Sequence, residues 1–504
     1  MNLGNRAWPI VVAALSICLV EMARAADPTN VLMSITLNQC IVRALEHNLE
    51  IKSQQINPSI ASWGVVGEQG VYDPRFLGSV TFSSDTIPQL TLTTSNLLTT
   101  TSTATRRSPD TELSLQGLLP TGGTYTFSAS NTRFSGTAFT NFLYTGSAGV
   151  SLQQPLLKNF GFGVNSANIR IARKSQTIAQ QNFVQFVMNK IAEVSTAYYE
   201  LVFAIEDHKA KVETLTESQQ FLDETRKRVQ IGVQSPLDVI QAEAGVAENE
   251  QAVITSEQLI RTTANNLKRL ISQQVTEFQG VTLVPTDFPV AEMLALDVTE
   301  CIRTALDLRP DYQAAKDALE RQNISVQFTR NQLLPEIDLQ GSYAANGLGG
   351  SFDNFSDSVS SGNYPSWSAG VVVTIPLGNR QARANYHIAK LDADQALISL
   401  KGLEQDIIVA VDTAVGNVGS AAKSVEAAHA ATRLADASLD AEKKKLLAGT
   451  STTFLVLQAQ AQLGSARSAE VRARASYAEA IVNLDVAQGT ILEKNNVVLA
   501  ESKP

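Results

Sequence analysis

Between residues 164 and 231 the chain contains neither glycine nor proline, and this run constrains the fold more than any other feature. As one helix it would extend about 100 Å, roughly three times the diameter of a small domain. Its apolar seam steps alternately by four and three through Val187, Ile191, Val194, Tyr198, Leu201 and Ile205, and continues through Val212, Leu215, Leu222 and Val229. Beyond a turn, Val239, Val246, Val253, Ile260 and Leu267 recur every seven residues, with Ala242, Asn249, Ser256 and Thr263 between them. A period near 3.5 means helices packed along their length as coiled coils. Helices this long suit a rod or a tunnel, not a soluble globule.

The first twenty-five residues read as a cleaved export signal. Arg6 supplies the positive start, 7–20 is apolar, and Ala23-Arg24-Ala25 gives the small-x-small pattern with cleavage expected before Ala26. The apolar stretch is too short to cross a bilayer, and bulky Ile17 ahead of Cys18 argues against a lipoprotein site. A content of 44% hydrophobic and 18% charged residues excludes a disordered chain or a disulfide-stapled mini-protein. The net charge of −9, with no basic block, makes nucleic acid an unsuitable partner.

Internal repetition comes next. A shift of 217 superimposes Val194 and Ala197 on Val411 and Ala414, Gly232 on Gly449, Gln241-Ala242 on Gln458-Ala459, and Leu267 on Leu484. A shift of 261 pairs Cys40-Ile41 with Cys301-Ile302, Ala44-Leu45 with Ala305-Leu306, and Pro74 with Pro335. The expected organisation is a tandem duplication. A first repeat covers 26–279, with strands about 76–155 and a helical hairpin about 164–279. After a connecting segment 280–297, a second repeat covers 298–489, with strands about 337–376 and a hairpin about 379–489; 490–504 is a tail.

Six segments alternate on a period of two. Phe76, Val80 and Phe82 oppose Leu77, Ser79 and Thr81; Leu113 and Leu115 oppose Ser114 and Gln116; Tyr125 and Phe127 oppose Thr126 and Ser128. Further segments place Ala148, Val150 and Leu152 on one face, then Ile337, Leu339 and Tyr343, then Trp367, Val371 and Val373. Short strands, apolar on one face and Ser/Thr/Gly/Gln on the other, fit an outer-membrane barrel. Six strands cannot close one, and an open edge in lipid leaves backbone groups unsatisfied, so several chains must share a barrel. Residues 91–108 and 347–364 are the expected external loops.

Together the export signal, the duplicated helix–strand–helix plan, Leu156-Leu157 after Gln154-Pro155, and Gly-x-x-[ST] at both helix turns resemble the TolC-like outer-membrane efflux protein family. The resemblance covers essentially the whole mature chain. It implies a homotrimer with one shared β-barrel in the outer membrane of a Gram-negative cell, continued by a long α-helical periplasmic tunnel. It also implies a passive exit duct for efflux or type I secretion, joined by a periplasmic membrane-fusion adaptor to an inner-membrane transporter. Gly232, Val233, Gln234, Ser235 and Pro236 match the first periplasmic tip, where adaptors engage; Gly449, Thr450, Ser451 and Thr452 match the second, which constricts the tunnel.

On local chemistry alone, each Gly permits a left-handed helix end, Ser235 and Thr452 are placed to cap the next helix, and Pro236 suits its first turn. Where some members of the family carry acidic residues after the second tip, this chain has Leu455 and Gln458, and Ser451 replaces a pairing Arg. Asp238 at the first tip remains, so the expected aperture comprises Asp238, Leu455 and Gln458, with Leu455 as an apolar constriction. The segment 111–133 is a second departure. As membrane strands it raises a twelve-strand trimeric barrel to about eighteen; as a folded-back loop or plug it leaves twelve.

No catalytic site is expected. His47, His208, His387 and His429 are scattered, Gly161-Phe162-Gly163 lacks the rest of a phosphate loop, and no metalloprotease or hydrolase motif occurs. Cys40 and Cys301 occupy equivalent helix positions and are read as small buried residues. No cofactor or metal is called for. A barrel-anchored coiled-coil stalk or adhesin is the alternative from another class, but it has no need of two hairpin turns per chain.

Overall fold

A computed structural model describes residues 31–92, 98–136, 141–287 and 296–499, so the expected export signal lies outside the described residues. The chain opens with β1 (Val31–Ile35), α1 (Leu37–His47) and α2 (Leu49–Gln69). Four strands follow: β2 (Arg75–Leu92), β3 (Leu98–Leu118), β4 (Thr124–Gly136) and β5 (Leu143–Pro155). A short α3 (Phe162–Asn165) leads into α4 (Ala167–Gln230), which returns as α5 (Pro236–Ile271). The long helix therefore starts three residues later than the glycine- and proline-free run, because Ser166 breaks it and turns its hydroxyl back to the Phe162 carbonyl at 2.6 Å.

The second half adds β6 (Val281–Pro285), α6 (Val298–Leu308), α7 (Pro310–Asn331), β7 (Glu336–Gly349), α8 (Phe352–Ser360) and β8 (Pro365–Thr374). It ends with α9 (Arg380–Leu447), α10 (Thr453–Gln488) and α11 (Ile491–Lys494). Two equivalent corners hold the short helices to the long ones. Buried Asn48 caps α2 and donates to the Leu270 carbonyl at 2.9 Å, at the end of α5. Arg309, ahead of α7, donates to the Ala487 carbonyl at 3.2 Å, at the end of α10. The sequence shifts of 261 and 217 align these two bonds as well as the residues around them.

The largest core lies where α4 meets α1, α5 and the β1–β6 pair. Ile41, Val187, Met188, Ile191, Val194, Tyr198, Leu201, Leu267 and Leu270 are all buried there. β1 and β6 run parallel, from Val31 beside Val281 to Ile35 beside Pro285. The Tyr198 hydroxyl donates to the Ile35 carbonyl at 3.3 Å and accepts the Asp287 N–H at 3.0 Å. β6 falls within the segment read from sequence as a plain connection. Burial of this network pushes the Tyr198 phenol up to about 12.

The remaining strands form one six-stranded antiparallel sheet in the order β2-β3-β4-β5-β7-β8. Two neighbouring rows of its register align residues of like polarity across all six strands. Phe76, Leu115, Phe127, Val150, Tyr343 and Trp367 are successive partners on one face. On the other face Arg75, Gln116, Thr126, Ser151, Ser342 and Ser368 follow one another. The alternation of each segment thus becomes an apolar band and a polar face.

Both expected external loops are corrected. The described part of 91–108, residues 91–92 and 98–108, is strand, because β2 and β3 stay paired up to Leu92 and Leu98, and Thr side chains favour extended backbone even without an apolar period. Within 347–364, β7 runs on to Gly349 and α8 forms, with Phe355 buried against the close-packed Gly347 and Gly349.

Candidate functional site: two helix turns and a two-faced sheet

α4 and α9 end in the same way. At the first turn Gly232 takes φ +81°, its N–H donates to the Val229 carbonyl at 3.0 Å, and the Val233 N–H donates to Arg228 at 2.9 Å. At the second Gly449 takes φ +75°, donating to Leu446 at 3.1 Å, while Thr450 donates to Lys445 at 2.9 Å. This pairing of bonds satisfies the last carbonyls of a helix and requires a left-handed residue that glycine supplies without strain.

The following helices start on their expected caps. Ser235 accepts the Leu237 N–H at 3.3 Å, Pro236 occupies the first turn, and Thr452 accepts the Leu455 N–H at 3.4 Å. The Asp238 carboxylate accepts the Ser235 N–H at 2.9 Å, completing a capping box. Asp238 thus has a structural partner within its own turn; the pattern Ser-x-x-Asp was the signal for it.

The two turns meet. Gln234 donates through Nε2 to the Thr453 hydroxyl at 3.1 Å, and beneath them Phe221, Leu222, Ala242, Leu439, Val456 and Leu463 form a shared core. Sequence reasoning missed Glu442. The Glu442 carboxylate accepts from Lys445 at 2.7 Å and from the Ser451 hydroxyl at 2.7 Å, and the Lys445 ammonium followed by that hydroxyl holds it below the usual carboxylate range. Its spacing to Lys445, one helical turn, was a readable cue.

Outward, the turns are apolar. Ile231, Val233, Leu237 and Ile240 stand exposed at the first, Phe454 and Leu455 at the second, and Gln458 is exposed beyond them. Further along, α10 is clamped to α4 by Arg467 on Glu217 at 3.1 Å and by Arg472 on Glu200 at 2.7 Å. Glu479 lies 3.6 Å from Arg472. Burial, opposed by Arg472 and aided by the neighbouring Glu200, pushes its carboxyl up to about 7.

No helix among the described residues is long and apolar enough to cross a membrane. The sheet is suited to it: its strands run from 10 to 21 residues, against about 9–11 for a tilted membrane strand. Among the described residues no group of three or more His, Cys, Asp or Glu could hold a metal ion. Cys40 and Cys301 are free and buried.

A two-faced sheet of membrane-spanning length, feeding helices whose turns gather at one end, defines an outer-membrane channel with a periplasmic extension. The family model for outer membrane efflux protein matches residues 85–273 and 301–490. The chain belongs to this family of passive outer-membrane channels, located in the Gram-negative outer membrane and acting as exit ducts through it.

Among relatives, the outer membrane efflux protein BepC of Brucella suis biovar 1 is 25% identical over 352 residues, covering 68% of this chain and 73% of BepC. Outer membrane protein TolC of Vibrio cholerae is 22% identical over 361 residues, covering 69% and 78%. The Campylobacter jejuni CmeC outer membrane channel shares the fold with a TM-score of 0.65 at 18% identity, over 90% of this chain and 85% of that one.

Proposed function

We propose that three copies of this chain close one barrel and one helical tunnel. The duct then passively conducts substrates delivered by a periplasmic adaptor and an inner-membrane transporter. The observation that carries this reading is the pair of helix turns joined by Gln234 and Thr453, at the far end of helices that start beside the sheet. A duct needs both turns at one end; a stalk does not. The aligned corner bonds of Asn48 and Arg309 support a tandem duplication, which gives each copy two such turns.

Apolar side chains on α9 support assembly. Ile388, Leu391, Ile398, Val409 and Leu434 are more than half exposed in a single copy, a stripe that water penalises and a second copy would cover. Gly232, Val233, Gln234, Ser235 and Pro236 form the adaptor contact, with Gly449, Thr450, Ser451 and Thr452 beside it. Leu455 forms an apolar constriction flanked by Gln458, and Asp238, held in its cap, places three carboxylates at the first turns of a trimer. The duct does no catalysis; energy comes from the transporter.

Light scattering of the native protein from outer membranes, corrected for detergent, should give a trimer; a monomer overturns the shared duct. Leu455→Asp should then change conductance and introduce block by divalent cations, and an unchanged channel removes Leu455 from the aperture.

A further inference from the structure

β3 and β4 lie in the middle of the sheet's first-half strands, so their location decides the size of the barrel. We propose that both are membrane-crossing wall, so that three copies close a barrel of eighteen strands, β8 of each copy pairing with β2 of the next. This rests on the three-copy reading above and adds the strand count, the closing edges and the wall residues.

Register carries the proposal. A hairpin folded into the lumen or away from the sheet would leave β2 to pair with β5. Instead β2 is bonded to β3 along its whole length, β3 to β4, and β4 to β5 from Thr124 beside Gln153 to Phe134 beside Leu143. The inserted strands also carry both faces across without a break. Leu113, Leu115 and Phe127 continue the apolar band, and Ser114, Gln116, Thr126 and Ser128 continue the polar one. A plug surrounded by water has no use for an apolar band in step with its neighbours; a wall between lipid and an aqueous lumen requires one.

The lower end of the hairpin is built into the junction with the helices. Its turn places the Thr121 carbonyl to accept the Gly161 N–H at 3.0 Å, and the Thr121 hydroxyl donates to Gln154 Oε1 at 2.9 Å. The turn is thereby pinned below β5, where the chain leaves for α4. β2 and β8 remain as the two edges. Six alternating strands make them antiparallel, Phe76 and Trp367 end the same apolar row at 70% and 76% exposure, and an edge in lipid must be paired.

The consequence is a mismatch within the duct. β2, β5, β7 and β8 run into helices, whereas β3 and β4 turn back at 119–123. Three copies supply twelve helical continuations beneath eighteen strands. Barrel diameter grows roughly in proportion to strand number, so this barrel is about half as wide again as one of twelve. Passage is then limited by the helix turns and not by the barrel.

Single cysteines at Leu115, Gln116, Thr126 and Phe127, spin-labelled in the full-length protein in phospholipid vesicles, test the wall. Leu152 and Ser151 on β5 serve as internal controls. The ratio of oxygen to nickel-chelate accessibility should be several-fold higher at Leu115 and Phe127 than at Gln116 and Thr126, matching Leu152 against Ser151. A trimer in which all four hairpin labels face water, while the β5 controls alternate, overturns the proposal and leaves the three-copy duct standing. Any mass other than a trimer overturns the strand count and the duct together.

Discussion

The two longest helices share a seam period and do different work. α4 buries eighteen residues, among them Met188, Tyr198, Leu201 and Phe221, and packs on α2, α5, α7 and α10. Of its larger apolar side chains only Val212 counts as exposed among the described residues. α9 buries eight, of which Ala389, Ala414 and Ala435 are small, and it leaves Ile388, Leu391, Ile398, Val409 and Leu434 in the open. α4 is the spine of one copy, and α9, on the three-copy proposal, is the face that a copy turns toward its neighbour. On that proposal the same periodicity serves folding in one helix and assembly in the other.

Truncating the spine should have the largest effect. Leu201 is fully buried, and Leu201→Ala is expected to lower protomer stability by about 3–5 kcal/mol through lost burial and the cavity left behind. Val418 is its counterpart at the shift of 217, and Val418→Ala should cost about 2 kcal/mol, having less to lose. Denaturant unfolding of both variants decides it; equal losses would mean that the helices share the core evenly.

Next comes the exposed face. Ile398 is 70% exposed in the single copy, so Ile398→Ala should leave protomer unfolding nearly unchanged while weakening the trimer by about 2 kcal/mol per contact. The trimer–monomer equilibrium in detergent reads this directly. A drop in protomer stability without dissociation would place Ile398 in an internal contact and erase the distinction.

The difference between the helices was not legible in the sequence, because a seam records that a helix packs and not whether its partner belongs to the same chain. The long helices themselves were, through their missing glycine and proline, and so were the six strands, through alternation wherever one face meets lipid. Residues 91–108 escaped because beyond the apolar band neither face needs to be apolar, leaving Thr and Ser on both. The β1–β6 pair escaped because five residues in parallel register, joined across most of the first half, leave no local pattern. α8 was readable in hindsight: Phe352, Phe355 and Val359 share one helical face within a polar stretch. The helix turns were the best-read part of the candidate site, since left-handed glycines and caps are local chemistry. Gln234 reaching Thr453 is a tertiary contact and had no such signal.

A smaller effect is expected where the halves are clamped together. The folded Glu479 carboxyl holds its proton up to about pH 7, whereas the unfolded one loses it near the ordinary carboxylate value of 4.5. Between these values the folded state binds more protons, so this group's contribution is fully present below about pH 4.5 and is lost as pH rises to about 7. Glu479→Gln should flatten that decline and raise thermal stability at pH 8 but not at pH 4. Parallel pH profiles for wild type and variant would sink the assignment.

The smallest predicted change compares the two turns. Gly232 and Gly449 both hold positive φ with open space where a Cβ would stand, so alanine at either costs only about 1 kcal/mol of backbone strain. Neither substitution should disturb the trimer or its unfolding midpoint beyond that. If the first turn serves docking and the second constriction, their functional effects must part. Gly232→Ala should weaken adaptor binding and leave the conductance of the isolated channel unchanged. Gly449→Ala should alter the conductance and spare adaptor binding. Identical responses in both assays would show that the turns act as one unit, which the bond from Gln234 to Thr453 makes the competing outcome to test. Gln234→Ala removes that bond without touching either glycine. If the turns are separate devices, it should leave the contrast between the two glycine variants intact.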